Sequence, residues 1–326
     1  MKLRTRLSAF FLIPGLTGVV VVAAVGTAVA KPAPDVLLDN LSSPKGLAVD
    51  GSGNPIVAQG AFGPPGPVLA YQLHGRDHGS VFEITDPLNL TDVAVAADGT
   101  GWGLGEGVLS RQAPNASQAE EILNLRDYQK GDPDPYNTNG RPGESNAYGL
   151  AVLPNGDALV ADAAANDIVR VTPEGDAWTV ARFAARNVST DHLGGHLPPT
   201  IPAEAVPTSI AIGPGGDILV GQLMGFPFRP GTSNVWRIDP DAHGVVCSAD
   251  HPEQGCSVYS SGYTAIQDVA YDARNGALYV YELAAEGVFA FEEGFGTGEF
   301  PDAVLLKVMG GKRTELAAGQ LSQPGG

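Results

Sequence analysis

Polar side chains recur at fixed places around a repeated apolar pattern, and their types suit holding a cation or orienting a small molecule. Asn146, Tyr148, Thr208 and Asp268, with Lys45, Asp92 and Gln267, stand where short apolar runs begin. Asp162, Gln222 and Glu282, with Gln59, stand where the following apolar runs end. Carboxylate and amide oxygens are the ligands calcium prefers, and a cation so held polarises an ester carbonyl and its bound water. Asn146, Asp162, Asp268 and Glu282 are therefore the metal candidates, although they lie in different repeats and no local motif makes them converge. The same residues read equally well as capping and turn groups along a water-filled channel.

Other constellations point less far. Asp132, Asp134, Asn137 and Asn139 resemble a calcium loop, but Pro133 and Pro135 interrupt it and Gly143 stands where a bidentate Glu is needed. Phe226 and Phe228 sit beside Pro227 and Pro230, in a connection that either grips an apolar ligand or packs over neighbouring structure. His74, His78, His192 and His196 lie in Gly- and Pro-rich stretches with no nucleophile motif nearby. Glycosylation patterns occur at Asn89, Asn115 and Asn187. Cys247 and Cys256, nine positions apart and the two cysteines of the chain, are expected to form a disulfide.

The elements that carry these residues follow from an internal repeat. KGLAVDGSGNPIVAQ, TDVAVAADGTGWGLG, YGLAVLPNGDALVAD, TSIAIGPGGDILVGQ and QDVAYDARNGALYVYE share one pattern, with equivalent apolar positions at Leu47, Val93, Leu150, Ile210 and Val269. Each reads as two strands around a Gly, Asn or Asp turn. In the third unit DIVRVTPEGDAWTVARF adds two more alternating runs, giving the four strands of a propeller blade. Parallel α/β strands are also apolar, but the intervening helices are missing. Residues 117–131 alone read as helical, with Ser117 and Glu120 as a capping box.

The expected fold is thus all-β, a six-bladed β-propeller with its last blade incomplete and one short insertion helix. QLSQPGG at the end of the chain echoes NLSSPKG at residues 40–46, so a sixth repeat is expected to begin there, as if a longer protein had been cut short. DVLLDNL, by its place before the first repeat, is expected to be an outer strand.

Residues 1–30 form the expected export signal, with Lys2, Arg4 and Arg6, an uncharged apolar run and an Ala28-Val29-Ala30 cleavage site. An uncleaved anchor is the alternative, and residues 31–326 form one domain with no later stretch that spans a membrane. The 43 Gly and 26 Pro argue against a helical bundle, while a 43% hydrophobic content suffices for a core. A net charge of −17, or −20 once the three basic residues of the leader are set aside, speaks against nucleic acid as a partner.

LSSPKGLAV, ILNLRDYQKGDPDP, SNAYGLAVLPNGDALVADAAANDIVRVTPEG and VPTSIAIGPGGDILVGQLMGFPFRPGTSNVWRI together resemble the ScyD/ScyE family of exported six-bladed propellers with NHL-like blades. The resemblance implies fold and export, and carries no settled reaction. The expected function is an exported, monomeric propeller that binds a small molecule or a protein partner through the channel ring. A calcium-dependent, lactonase-like hydrolase using its Glu, Asn and Asp is the alternative.

Overall fold

A computed structural model describes residues 34–86, 88–114 and 116–322. Five blade sheets follow one another along the chain, four of four antiparallel strands and one, the third, extended to five by a parallel edge strand; a separate two-stranded hairpin lies between the third and fourth. Blade 1 holds β1 (Leu47–Val49), β2 (Pro55–Val57), β3 (Leu69–Tyr71) and β4 (Val81–Glu83), and blade 2 holds β5 (Asp92–Val95), β6 (Gly101–Gly105), β7 (Val108–Gln112) and β8 (Glu120–Asn124). Helix α1 (Leu125–Gly131) leads into blade 3, with β9 (Ala147–Val152), β10 (Ala158–Asp162), β11 (Asp167–Val171) and β12 (Ala177–Phe183). A hairpin of β13 (Arg186–Ser189) and β14 (Thr200–Ala203) precedes blade 4, which begins with β15 (Ala205–Ile212), β16 (Ile218–Met224) and β17 (Ser233–Ile238). The chain then places β18 (Val245–Cys247) parallel to β12 on the outer edge of blade 3, before β19 (Cys256–Tyr263) completes blade 4. Blade 5 holds β20 (Ile266–Asp272) and β21 (Ala277–Glu282), then helix α2 (Val288–Thr297), β22 (Val304–Met309) and β23 (Lys312–Leu316).

The inner strands lie side by side in order, β1 against β5, β5 against β9, β9 against β15 and β15 against β20, which is a propeller. Its core is a set of apolar layers between adjacent blades: Ile56 and Val93, then Leu104 and Val160, then Phe183 and Trp236, then Leu219 and Val280. Two close approaches explain why glycine stands on the inner strands or just before them. A Cβ on Gly46 would come 2.6 Å from Asp92 Cα, and one on Gly149 would come 2.8 Å from the Thr208 carbonyl oxygen. The disulfide Cys247–Cys256 ties the strand laid on blade 3 to the outer strand of blade 4.

One expectation is met in part and three need correction. The described residues form five full blades and no strand of a sixth; none follows Leu316 up to residue 322, residues 323–326 lie outside the described set, and the arrangement is compatible with an incomplete last blade. DVLLDNL is not a strand, and Val36 and Leu37 are exposed, because no strand among the described residues pairs with that stretch. The Ser117/Glu120 capping box is not used: Glu120–Asn124 pairs with β7 as the outer strand of blade 2, and α1 starts later, capped by Asn124 Oδ1 on Asp127 N at 3.2 Å. Sheet pairing along blade 2 overrides the local helix signal. A second helix, α2, forms within VFAFEEGFGT between two strands of blade 5. The expected leader falls on residues outside the described set, and among the described residues no helix is long and apolar enough to cross a membrane.

Candidate functional site

Inner strands begin and second strands end at the same face of the ring, called here the entry face, and the polar positions picked out by the repeat gather there. They do two different things. At the strand exits they staple each blade to itself. Gln59 Oε1 accepts Ser42 N at 2.7 Å, and Glu282 accepts Thr264 N. Asp162 accepts the Ser145 hydroxyl at 2.5 Å and the backbone N–H groups of Asn146, Ala164 and Ala165 at 2.7, 3.1 and 3.2 Å. Gln222 donates to the Leu223 carbonyl at 2.6 Å and accepts the indole of Trp236 at 3.4 Å. Burial raises the carboxyls of Asp162 and Glu282 above the usual range, opposed in each by the hydrogen bonds they accept.

At the strand entries the polar residues join one blade to another. Asp92 accepts Leu150 N of blade 3 at 2.8 Å, and Thr208 donates to the Ile266 carbonyl of blade 5 at 3.0 Å. Tyr148 is the meeting point of the hub. Lys45 Nζ, from blade 1, donates to its carbonyl at 2.9 Å and lies 3.9 Å over its ring, a cation–π contact, while Gln267 of blade 5 donates to its phenol. Lys45 is also the counter-charge for two carboxylates of the hub, Asp92 and Asp268. Both are raised, chiefly by burial. Asp92 keeps two backbone donors, Val93 N and Leu150 N. Asp268 has one, Val269 N, and with Asp92 beside it its carboxyl is pushed up to about 7.

The metal candidates therefore do not form one ligand set. The charges acting on Asp268 are Asp92 and Lys45, those on Glu282 are Arg313 and Glu315, and Asp162 is filled by donors of the chain itself. Among the described residues no three of His, Cys, Asp and Glu gather to hold a metal ion. The loop candidates are likewise engaged. Asp132 pairs with Arg182 and accepts the Thr179 hydroxyl at 2.6 Å, and Asp134 accepts Asn166 Nδ2 at 3.0 Å.

Above Tyr148 a cavity of about 350 Å³ opens on the entry face, walled by blades 1, 2 and 3. Asn146 and Tyr148 line it; so do Phe62, Asn89, Thr91, Glu106 and Arg126, which the repeat pattern does not single out as site residues. Phe62 and Asn89 belong to connections, and Arg126 lies in the first turn of α1. The helix is held over blade 3 by Gln129, which donates to Asp167 at 3.1 Å, and by Tyr128, whose phenol meets the Thr179 hydroxyl at 3.0 Å. Asn89 Nδ2 donates to Glu106 at 3.2 Å, while its Oδ1 is buried without a partner.

Phe226 and Phe228 sit apart from that cavity. Their rings pack edge-on against each other and against Phe289 of α2, with centroids 5.3 to 6.2 Å apart. Phe226 stays 46% exposed, so the loop both packs on a neighbouring element and presents an aromatic surface.

No family model matches the chain, and no curated protein sequence matches it. Among solved structures it is similar to a gluconolactonase from Xanthomonas campestris, at 13% identity and a TM-score of 0.51 over 89% of this chain and 79% of that one. It is also similar to the PQQ-bound form of an aldose sugar dehydrogenase from Streptomyces coelicolor, at 12% identity and a TM-score of 0.49 over 90% and 86% of the two chains. A virginiamycin B lyase from Staphylococcus aureus shows 15% identity and a TM-score of 0.43 over 84% and 70%. At such identities the likeness bears on the fold, which is that of a β-propeller.

Proposed function

We propose that the chain is an exported β-propeller that binds a small polar molecule in the cavity above Tyr148. The observation that carries this reading is the cavity itself. Side chains from three blades converge on about 350 Å³ of space, at the small end of the usual range for ligand sites. Beneath it, Lys45 and Gln267 both bear on Tyr148, so the well has a floor. Membership of the ScyD/ScyE family is part of the proposal, supported by the long blocks at residues 145–175 and 206–238; export is supported by the composition of residues 1–30.

The test is a thermal melt of the protein alone and with panels of sugars, amino acids and small carboxylates, since binding to the native state raises the midpoint. Members of one panel should raise it for the native chain and not for Asn146→Trp, a change at an exposed side chain that fills the well. If no compound shifts the native chain, or if Asn146→Trp responds equally, the reading is wrong.

A further inference from the structure

Two opposite charges face this well without touching each other. Glu106 and Gly107 form the turn between β6 and β7, both left-handed, with φ of 52° and 80°. Such a turn favours Asn, Asp or Gly at its first position, and a residue like Glu is held there at a cost of about 1 kcal/mol. That conformation puts the Glu106 carboxylate in the wall of the cavity. Gly107 accepts Leu125 N at 2.9 Å through its carbonyl, which pins the start of α1 to the turn. Arg126 then lies across Gly107, where a Cβ would come 3.1 Å from its Nε.

Arg126 is unusual among the arginines of the chain. Arg111, Arg141, Arg170, Arg182, Arg229, Arg237 and Arg274 each hold a carboxylate, and Arg186 and Arg313 each donate to backbone carbonyls. Among the described residues Arg76, on an exposed loop, and Arg126, in the cavity wall, have no such partner. Arg126 and Glu106 border the same glycine yet form no ion pair. Glu106 Oε1 accepts one N–H of Asn89 Nδ2 at 3.2 Å, which leaves its other oxygen without a side-chain donor.

We infer that the well selects a zwitterion of amino-acid type, its carboxylate on Arg126 and its ammonium on Glu106; this rests on the binding role proposed above. A guanidinium offers paired donors matched to a carboxylate, and an ammonium donates to the Glu106 carboxylate opposite. One cation against one anion leaves the wall balanced, and the chain carries a net −17, so a simple anion such as phosphate gains little there. Phe62, 76% exposed, offers an aromatic wall for a side chain.

The experiment is calorimetric titration of the full chain at low salt with free phenylalanine, leucine and alanine, set beside their N-acetyl and amide forms, inorganic phosphate and neutral sugars. Free amino acids should bind, with affinity reduced at least about tenfold by removing either charge from the probe, or by Arg126→Met or Glu106→Gln in the protein. Glu106→Asn, which suits the left-handed turn, checks that the loss is not one of folding, since it should melt no lower than the native chain. Binding of N-acetyl forms or phosphate as tight as the free amino acid overturns the inference. Binding of neutral sugars alone overturns it too, while leaving the proposed binding role intact; no binding by any probe removes both.

Discussion

Asp167 shows how a single side chain tunes stability here. It is buried between blade 3 and α1, where burial first, and then the charge of Asp162, push its carboxyl well above the usual range, against the hydrogen bonds from Gln129. A carboxyl raised in the folded state penalises folding once ionised, so its contribution is most favourable at low pH and is lost as pH rises through the folded value. Gln129 Oε1 lies nearby, buried and without a donor. Asp167→Asn removes the ionisation and, with the Gln129 amide turned over, supplies that donor. The variant should melt higher than the native chain at pH 8, with the gain shrinking toward pH 4; an equal shift at both pH values would contradict this assignment. At the same scale, the hub and stapling residues were legible because they recur at equivalent positions of the repeat. Glu106 and Arg126 were not, since one lies in the β6–β7 turn inside blade 2 and the other in the helix after it, and nothing local marks them as facing one cavity.

Elements are read from the sequence where their signals are local. The five hairpins were legible because an apolar run, a turn glycine and a second run lie within fifteen residues, and the turn glycines Gly53, Gly99, Gly156, Gly216 and Gly276 all adopt positive φ. Residues 117–124 misled because a capping pattern competes with strand pairing that depends on β7. Nor does any local pattern announce that the connection after β17 lends β18 to blade 3. That clasp makes the disulfide more than a loop closure. Replacing both cysteines with serine should cost about 2–3 kcal/mol, the value expected for closing so short a loop, read as a lower denaturation midpoint. A loss within error would show that the clasp holds without the bond.

At the scale of the whole molecule, the repeat-equivalent residues report which blades have neighbours. Val93, Leu150, Ile210 and Val269 are 8%, 6%, 7% and 5% exposed, whereas Leu47 is 52% exposed and Val49, two residues on, 59%. One face of blade 1 is thus uncovered by the described residues, as an incomplete last blade would leave it. Leu150→Ala should therefore cost about 2–4 kcal/mol, as buried leucines do, and Leu47→Ala less than about 1 kcal/mol; equal losses would mean that Leu47 is covered. The central claim is that blades 1, 3 and 5 meet at Tyr148 through Lys45 and Gln267, and that the proposed small polar molecule sits above it. Amide chemical shifts of the labelled protein, followed while free amino acids are titrated in, test this most directly. Changes should concentrate at residues 60–63, 89–91, 106–107, 126 and 145–148; changes centred on Phe226 and α2 instead, or none at saturating concentration, would contradict it.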